Sequence, residues 1–255
     1  MKFGVCKSIK DLEKFNTSVV DYCEMSLGSI CKMTDEEIEE CIRLSEEKNI
    51  PILSANCFFP RDIKLCGSGF SCEAIKNYAE IALEKANRFG IKTVVLGSGG
   101  SRMIPEGADK DECMAQLAKA FTVAGDAAAK YDITIVIEPL NKVETNCINT
   151  VSEGAEMIRL VNHPNVKLLC DIYHFAKENE PMSDIIENGD ILYHFHIANP
   201  DGRIYPKKTD EYDYSKVVSA MREIGYDGLI SIEGKALDFD KDLIEGIDFL
   251  KEIFA

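Results

Sequence analysis

The sequence predicts a single α/β domain folded as a closed (β/α)8 barrel, the TIM-barrel architecture. Apolar runs of strand length alternate with segments of helical period along the whole chain. There are eight such runs, and a length of 255 residues is typical of one barrel. No internal repeat, low-complexity tract or Pro/Ser-rich linker marks a boundary, so residues 1–255 are expected to form one domain.

The predicted strands are apolar on both faces, which is typical of a parallel sheet covered by helices. Right-handed β/α units in series can close such a sheet. An open, doubly wound sheet would usually show GxGxxG after its first strand, whereas the Gly-rich stretch GSGGSR at 97–102 follows the fourth. The strands are predicted at 2–6, 22–27, 51–57, 93–99, 134–140, 166–174, 192–198 and 228–234.

The helices between these strands have recognisable starts and core faces. Thr34 with Glu37, and Thr150 with Glu153, have the spacing of a capping box. Apolar residues that recur at intervals of three and four predict the buried faces of two long helices. These faces consist of Ala74, Tyr78, Ala82 and Phe89 on one helix, and of Cys113, Leu117, Phe121, Ala124 and Ala128 on the other.

Composition excludes several classes of protein. The 29 basic and 44 acidic residues give a net charge of −15, which repels phosphodiester backbones, so we expect no nucleic-acid partner. The chain shows neither a signal-peptide pattern nor a run of about 18 apolar residues, so we expect a cytoplasmic protein with no membrane partner. The ten cysteines form no CxxC pair and are predicted to be reduced core residues.

Polar residues stand at the ends of the last four predicted strands, where a TIM barrel carries its chemistry. Glu138, Asp171, His196 and Glu233 are 33, 25 and 37 residues apart, about one β/α unit each. Three adjacent carboxylates would resist ionising unless a cation neutralised them. Carboxylates with one imidazole favour Mn²⁺ or Mg²⁺, with Co²⁺ and Zn²⁺ as further candidates. The sequence therefore predicts one divalent metal ion on these four residues, unless each acidic residue instead caps a helix or pairs with a lysine.

The other three histidines have different predicted roles. His194 shares a strand face with His196 and is either a partner of the metal ligands or a hydrogen-bonded core residue. His174, three residues after Asp171, either reaches a substrate or lies in a loop. His163 precedes a strand, so it is predicted to lie at the opposite end of the barrel.

At these residues the sequence resembles the xylose isomerase-like TIM barrel superfamily, over nearly the whole chain. The similarity is greatest to its sugar epimerase and isomerase branch, typified by D-tagatose and D-psicose 3-epimerases. That branch binds one divalent metal through a Glu, an Asp, a His and a Glu at the ends of strands five to eight, as found here. In that branch, a substrate-binding Glu follows the first ligand by six residues, which matches Glu144. A substrate-binding His follows the Asp by three residues, which matches His174. Its substrate-binding Arg follows the metal-binding His by six residues, where this chain has Gly202, so Arg203 is the candidate.

The resemblance implies an enzyme, a sugar or sugar-phosphate epimerase or isomerase. Glu138 and Glu233 would be the catalytic acid and base that move a proton next to a carbonyl through a metal-stabilised enediolate. Loss of a β-hydroxyl from the same intermediate would instead give a lyase. The lyase alternatives are an inosose-type or dehydroshikimate-type dehydratase and a C-glycoside deglycosidase subunit with a partner chain. An apurinic endonuclease relative or a non-catalytic binding module is the third hypothesis, but four histidines are few for a three-zinc nuclease site.

Two polar loops, 57–69 and 199–213, are predicted to select a small sugar-like substrate. Phe58, Phe59 and Tyr205 in these loops either line the sugar site or anchor the loops. The GSGGSR segment either forms a glycine turn or binds a phosphate, with Arg102 nearby. Homo-oligomerisation is left open.

Overall fold

Eight parallel strands form a closed barrel in the computed structural model, which describes residues 1–14 and 16–255. They are β1 (Lys2–Cys6), β2 (Tyr22–Ser26), β3 (Ile52–Asn56), β4 (Thr93–Leu96), β5 (Thr134–Ile137), β6 (Val166–Asp171), β7 (Leu192–Ile197) and β8 (Leu229–Ile232). Each strand pairs with the next along the chain, and β1 pairs with β8 to close the ring, with Lys2 opposite Leu229. The predicted fold and the presence of eight strands are therefore confirmed, but β4, β5 and β6 each end three residues earlier than predicted.

Helices within the described residues connect the strands and cover the outside of the barrel. They are α1 (Ile9–Leu12), α2 (Leu27–Ile30), α3 (Asp35–Lys48), α4 (Cys72–Arg88), α5 (Gly99–Arg102), α6 (Lys110–Ala129), α7 (Val151–Val161), α8 (Ile172–Lys177), α9 (Met182–Glu187), α10 (Tyr214–Glu223) and α11 (Phe239–Phe254). Across the described chain, none of them is both long enough and apolar enough to cross a bilayer.

One of the two predicted capping boxes is complete and the other is shifted. The box predicted at 34–37 forms at the start of α3, with both of its hydrogen bonds present. At the start of α7, the Thr150 hydroxyl accepts from the Glu153 N–H as predicted. The Glu153 carboxylate, however, accepts from the N–H of Asn149 rather than that of Thr150. The start of α7 is still capped, because the backbone N–H groups of Asn149 and Glu153 both have hydrogen-bond acceptors.

Most of the apolar core lies between the strands and the long helices. The face predicted on α6 is buried throughout. The prediction for α4 was wrong at Ala74, which is exposed, because the neighbouring Ile75 is the residue that turns toward the core. The buried face of α4 consists of Ile75, Ala79, Ala82, Leu83 and Ala86.

The interior of the barrel has an apolar side and a polar side. Val95, Val136 and Leu169, from β4, β5 and β6, form a small apolar cluster. On the other side, the fully buried Tyr22 places its hydroxyl 2.7 Å from Ser231 Oγ. Gly4 on β1 leaves room for the Tyr22 ring, since a Cβ at position 4 would lie 2.5 Å from that ring. The polar groups of the interior therefore gather on β2, β3, β7 and β8.

Candidate metal centre

The strand ends bring the four predicted metal ligands together. Glu138 follows β5, Asp171 ends β6, His196 lies one residue before the end of β7, and Glu233 follows β8. One donor atom from each of these residues lies within 4.8 Å of the others. His196 Nδ1 is 3.2 Å from Glu138 Oε1 and 3.6 Å from Glu233 Oε2. The four residues predicted from their spacing of about one β/α unit therefore lie together in the structure.

Negative charge is crowded in this cluster. Burial, together with Glu138 and Glu233, raises the pKa of Asp171 to about 8. Burial also raises the pKa of Glu138, against the hydrogen bond from His196. Burial acts in the same direction on Glu233, but His196 and Arg203 outweigh it and lower the pKa of Glu233 to about 2. Metal binding requires ionised carboxylates and an unprotonated imidazole nitrogen, and these four groups cannot all adopt those forms without a cation. The cluster therefore fits a divalent ion such as Mn²⁺ or Mg²⁺.

Glu24, which was not among the predicted site residues, orients His196. Its carboxylate is buried in β2, and its Oε1 lies 2.8 Å from His196 Nε2. Because an ionised carboxylate only accepts hydrogen bonds, Nε2 carries a hydrogen and Nδ1 is the nitrogen that faces Glu138 and Glu233. Burial disfavours a charge on His196, but Glu24 and Glu233 outweigh burial and raise its pKa well above the usual range. In the metal-free site His196 therefore also carries a proton on Nδ1, and a metal ion bound to Nδ1 would displace it.

Three further donors converge on the other oxygen of Glu24. Its Oε2 accepts from Ser54 Oγ at 2.5 Å and from Ser231 Oγ at 2.7 Å, and it lies 2.8 Å from His194 Nε2. Burial alone would raise the pKa of Glu24, but His196 and His194 hold that pKa well below its usual range. His194 therefore supports the predicted metal ligand His196 through Glu24. In the sequence, a glutamate inside the apolar run YCEMS is the signal that indicates such a buried carboxylate.

Arg203 lies against the acidic cluster. Its Nη2 is 2.5 Å from Glu233 Oε2 and 3.4 Å from Asp171 Oδ2, and its Nη1 is 3.2 Å from Glu144 Oε1. Its guanidinium carbon lies 4.7 Å from the centre of the Tyr173 ring, within the range of a cation–π contact. Arg203 therefore links two predicted metal ligands to the predicted substrate-binding residue Glu144.

A tight turn compensates for the one-residue displacement of this arginine. Gly202 and Arg203 both have left-handed backbones, with φ of 78° and 50°. On either side of them, the N–H of Asn199 donates to the carbonyl of Ile204 at 2.9 Å. The extra residue is absorbed in the loop, so that the guanidinium still reaches the cluster.

His174 presents a free N–H beside the cluster. Burial, and then the charge of Arg203, lower the pKa of His174 to about 3, so its ring is neutral. Its Nδ1 accepts from the backbone N–H of Asn141 at 3.2 Å, which places the ring hydrogen on Nε2. Nε2 lies 3.5 Å from Asp171 Oδ2 and forms no hydrogen bond with any residue that the structure describes. This buried donor is therefore available to a bound molecule.

A cavity of about 350 Å³ opens onto the cluster. Glu138, Glu233, Glu144 and Arg203 line it together with Asn56, Cys57, Phe59, Arg61, Leu140 and residues 97–101. Asn56, which was not predicted as a site residue, donates its Nδ2 to Glu233 Oε1 at 3.1 Å. Of the three predicted aromatic residues, Phe59 lines the cavity, whereas Phe58 and Tyr205 are fully buried anchors.

The GSGGSR segment lies beside Glu138, but its arginine is not among the residues that line the cavity. Arg102 is fully buried and donates Nη2 to the Glu138 carbonyl at 2.7 Å. Arg102 therefore does not assist phosphate binding by this segment, because α5 turns its side chain into the protein, whereas the backbone of residues 97–101 still lines the cavity. Gly97 is needed here, since a Cβ at this position would lie 2.2 Å from Glu138 Oε2.

His163, the remaining histidine, lies where the sequence placed it. His163 is in the connection between α7 and β6, at the amino end of that strand and away from the cluster. Cys57, by contrast, is exposed and lines the cavity, so it departs from the prediction that the cysteines are core residues.

Comparisons with known proteins agree with this architecture. The chain is 26% identical to a D-psicose 3-epimerase of Agrobacterium fabrum (strain C58 / ATCC 33970) over 253 residues, which are 94% of this chain and 86% of that protein. It is 32% identical to a putative hydroxypyruvate isomerase of Drosophila melanogaster over 134 residues, which are 51% of this chain and 50% of that protein.

The fold is also similar to that of solved structures. A D-allulose 3-epimerase from Methylomonas sp., crystallised in complex with D-allulose, superimposes with a TM-score of 0.84 at 21% identity. The superposition covers 99% of this chain and 96% of the other. Residues 20–253 match the sequence family described as xylose isomerase-like TIM barrel. Since this match spans most of the sequence, the chain belongs to the xylose isomerase-like TIM barrel family.

Proposed function

We propose that the chain is a divalent-metal-dependent epimerase or isomerase of sugars or sugar phosphates. One observation carries this proposal. Glu138 and Glu233 belong to the four-donor cluster and also line the cavity, so both carboxylates meet any molecule bound beside the metal. The relatives, which include a D-psicose 3-epimerase and a putative hydroxypyruvate isomerase, support the same reaction class.

The metal would be held by His196 Nδ1 and by carboxylate oxygens of Glu138, Asp171 and Glu233. This oxygen-rich donor set favours Mn²⁺ over the other candidates Mg²⁺, Co²⁺ and Zn²⁺. When bound, the metal would polarise the substrate carbonyl and offset the negative charge that develops next to it.

Glu138 and Glu233 would carry the proton. One carboxylate accepts it from the carbon next to the carbonyl, and the other returns a proton. Return to the opposite face of the same carbon gives epimerisation, and delivery to the adjacent carbon gives isomerisation. Acid–base catalysis of this kind contributes a factor of about 10² to 10⁴ in rate.

Three residues beside the cluster would orient the substrate. His174 donates its Nε2–H to a substrate oxygen, which satisfies a buried donor that has no partner among the described residues. Glu144 accepts from a hydroxyl, and Arg203 holds Glu144 and Glu233 at a fixed separation. Placing the reacting carbon in this way converts binding energy into a lower barrier.

The test is deuterium uptake from D₂O into a panel of ketoses, ketose phosphates and inososes, with Mn²⁺ present and EDTA added before mass spectrometry. We expect uptake at the carbon next to the carbonyl, together with a new epimer or isomer, and no uptake with Glu233→Gln. Loss of water from the substrate without a new epimer would favour the lyase alternative. No uptake into any compound by a metal-loaded, folded protein would refute the proposal.

A further inference from the structure

Arg61 is a guanidinium without a partner on the wall of the catalytic cavity. Arg203, which lines the same cavity, is engaged by Glu144, Asp171 and Glu233. Arg61 forms no ion pair or hydrogen bond with any residue in the described ranges 1–14 and 16–255. In a chain with a net charge of −15, a cation left unpaired beside the acidic cluster is available to a negative group on a bound molecule.

Ser101 forms hydrogen bonds with the backbone on both sides of Arg61. The Ser101 hydroxyl donates to the Pro60 carbonyl at 2.8 Å, and the Ser101 carbonyl accepts from the Leu65 N–H at 2.9 Å. These bonds join the loop after β3 to the GSGGSR segment. Arg61 is thus carried by an anchored loop, although its side chain is exposed.

The arginine side chain lies directly on Gly100. A Cβ at position 100 would be 2.7 Å from Arg61 Nε, so a larger residue there would displace the guanidinium. Lys64 donates its Nζ to the Gly100 carbonyl at 3.2 Å, so a second positive charge lies close to Arg61, although Lys64 lines a neighbouring pocket and not this cavity. Asp62, the residue after Arg61, lies near Tyr78. Its negative charge adds to burial and to the Cys31 thiol in raising the pKa of the Tyr78 phenol.

The distance between the acid–base groups and Arg61 suits a small molecule. Gly97 adjoins the Glu138 carboxylate, and Gly100 adjoins Arg61. The two glycines are three positions apart in the chain, a span of at most about 11 Å even for fully extended chain. One end of a sugar-sized molecule can therefore lie at Glu138 while its other end meets Arg61.

We propose that Arg61 binds an anionic group, a phosphate or a carboxylate, on the end of the substrate remote from the reacting carbon. This inference rests on the proposed function and specifies its substrate class as ketose phosphates or keto-sugar acids. The planar guanidinium pairs with either anion through two parallel N–H donors. A neutral ketose would leave this group unused.

The test compares kcat/KM for proton exchange on a neutral ketose, its terminal phosphate and its terminal carboxylate. We expect the wild-type protein to prefer at least one anionic form by tenfold or more, and the rates identify which anion is the natural one. Arg61→Met should reduce that preference at least tenfold. Arg43→Met is the matched control, because it removes one positive charge from an exposed pair with Glu47 on α3, and it should leave the preference unchanged.

Equal efficiency on the neutral and anionic forms, or an equal loss on all forms with Arg61→Met, would overturn the inference. A second measurement separates its failure from that of the proposed function. If no compound exchanges, calorimetric binding of inorganic phosphate to the metal-loaded protein still tests Arg61. A dissociation constant at least tenfold weaker in Arg61→Met than in Arg43→Met supports the anion site, and equal constants overturn it.

Discussion

Replacing Glu24 by glutamine is expected to weaken metal binding although Glu24 lies outside the cluster of Glu138, Asp171, His196 and Glu233. In the native structure, Glu24 Oε1 lies 2.8 Å from His196 Nε2, whereas Oε2 meets Ser54, Ser231 and His194. A glutamine side chain has one accepting oxygen and one donating nitrogen. The oxygen is favoured where three donors converge, so the amide nitrogen would face His196.

This rearrangement would change the tautomer of His196. An amide N–H that faces Nε2 requires Nε2 to accept, which moves the ring hydrogen to Nδ1. Nδ1 is the nitrogen directed at Glu138 and Glu233, so the metal would meet an N–H instead of a lone pair.

The size of the effect follows from the bonds that are lost. Removing a hydrogen-bond partner of a metal-binding histidine typically costs 10- to 100-fold in metal affinity, which is about 1.4 to 2.8 kcal/mol. The loss of one buried hydrogen bond to a charged group also lowers the free energy of unfolding by about 1.5 to 3 kcal/mol. For a protein of this size, at about 2 °C per kcal/mol, that corresponds to a decrease in Tm of roughly 3 to 6 °C.

The assay is calorimetric titration of chelator-treated protein with Mn²⁺, accompanied by circular dichroism to verify folding. Ser54→Ala is the matched control, since it removes one donor from Glu24 Oε2 and leaves the contact with His196 in place. Its metal affinity should stay within about twofold of wild type. Wild-type affinity in a folded Glu24→Gln variant, or an equal loss in Ser54→Ala, would refute the reasoning.

Four further predictions concern the cluster and its neighbours. Glu138→Gln and Glu233→Gln should each lower turnover by several orders of magnitude in the exchange assay, even at saturating metal; full recovery at high metal would show that they are ligands only. His174→Asn should retain the metal but lower kcat/KM at least tenfold, because one buried hydrogen bond is lost; unchanged kinetics would remove His174 from the site. Arg203→Ala should raise KM without unfolding the protein, and unaltered KM and kcat would assign its loop another role. Metal affinity should rise with pH up to about 8, since the metal must displace the proton that Asp171 holds below its raised pKa; an affinity that is flat from pH 6 to 8 would contradict this.

The fold and the four metal-site candidates could be predicted from sequence because both depend on short-range patterns. Each apolar strand is a local signal, and the polar residue at its end occupies a fixed place in the β/α unit. The register between neighbouring strands then brings the ends together, as in the pairing of Asp171 with His196. No long-range information beyond the number of units was needed.

Glu24 and Arg61 depend on relations that a single sequence does not contain. Glu24 and His196 belong to strands that are not neighbours in the barrel, and their contact is set by the way the sheet closes. Arg61 and Arg102 both lie near the same glycine turn in the folded protein, but the sequence pattern points only to Arg102. Only the direction of α5 decides between them, because it buries Arg102 and leaves Arg61 at the cavity.

The acidic cluster weakens the fold that carries it, which argues that it is kept for its chemistry. Asp171 and Glu138 are buried side by side, and the raised pKa of each shows that ionising them inside the barrel is unfavourable. Apolar residues at these strand ends would pack without that cost, as Val95, Val136 and Leu169 do within β4, β5 and β6. A cation that binds the folded state and not the unfolded chain reverses the balance, because it stabilises the protein in proportion to RT ln(1 + [M]/Kd). The same four residues would therefore make the folded protein depend on the ion that its proposed reaction requires.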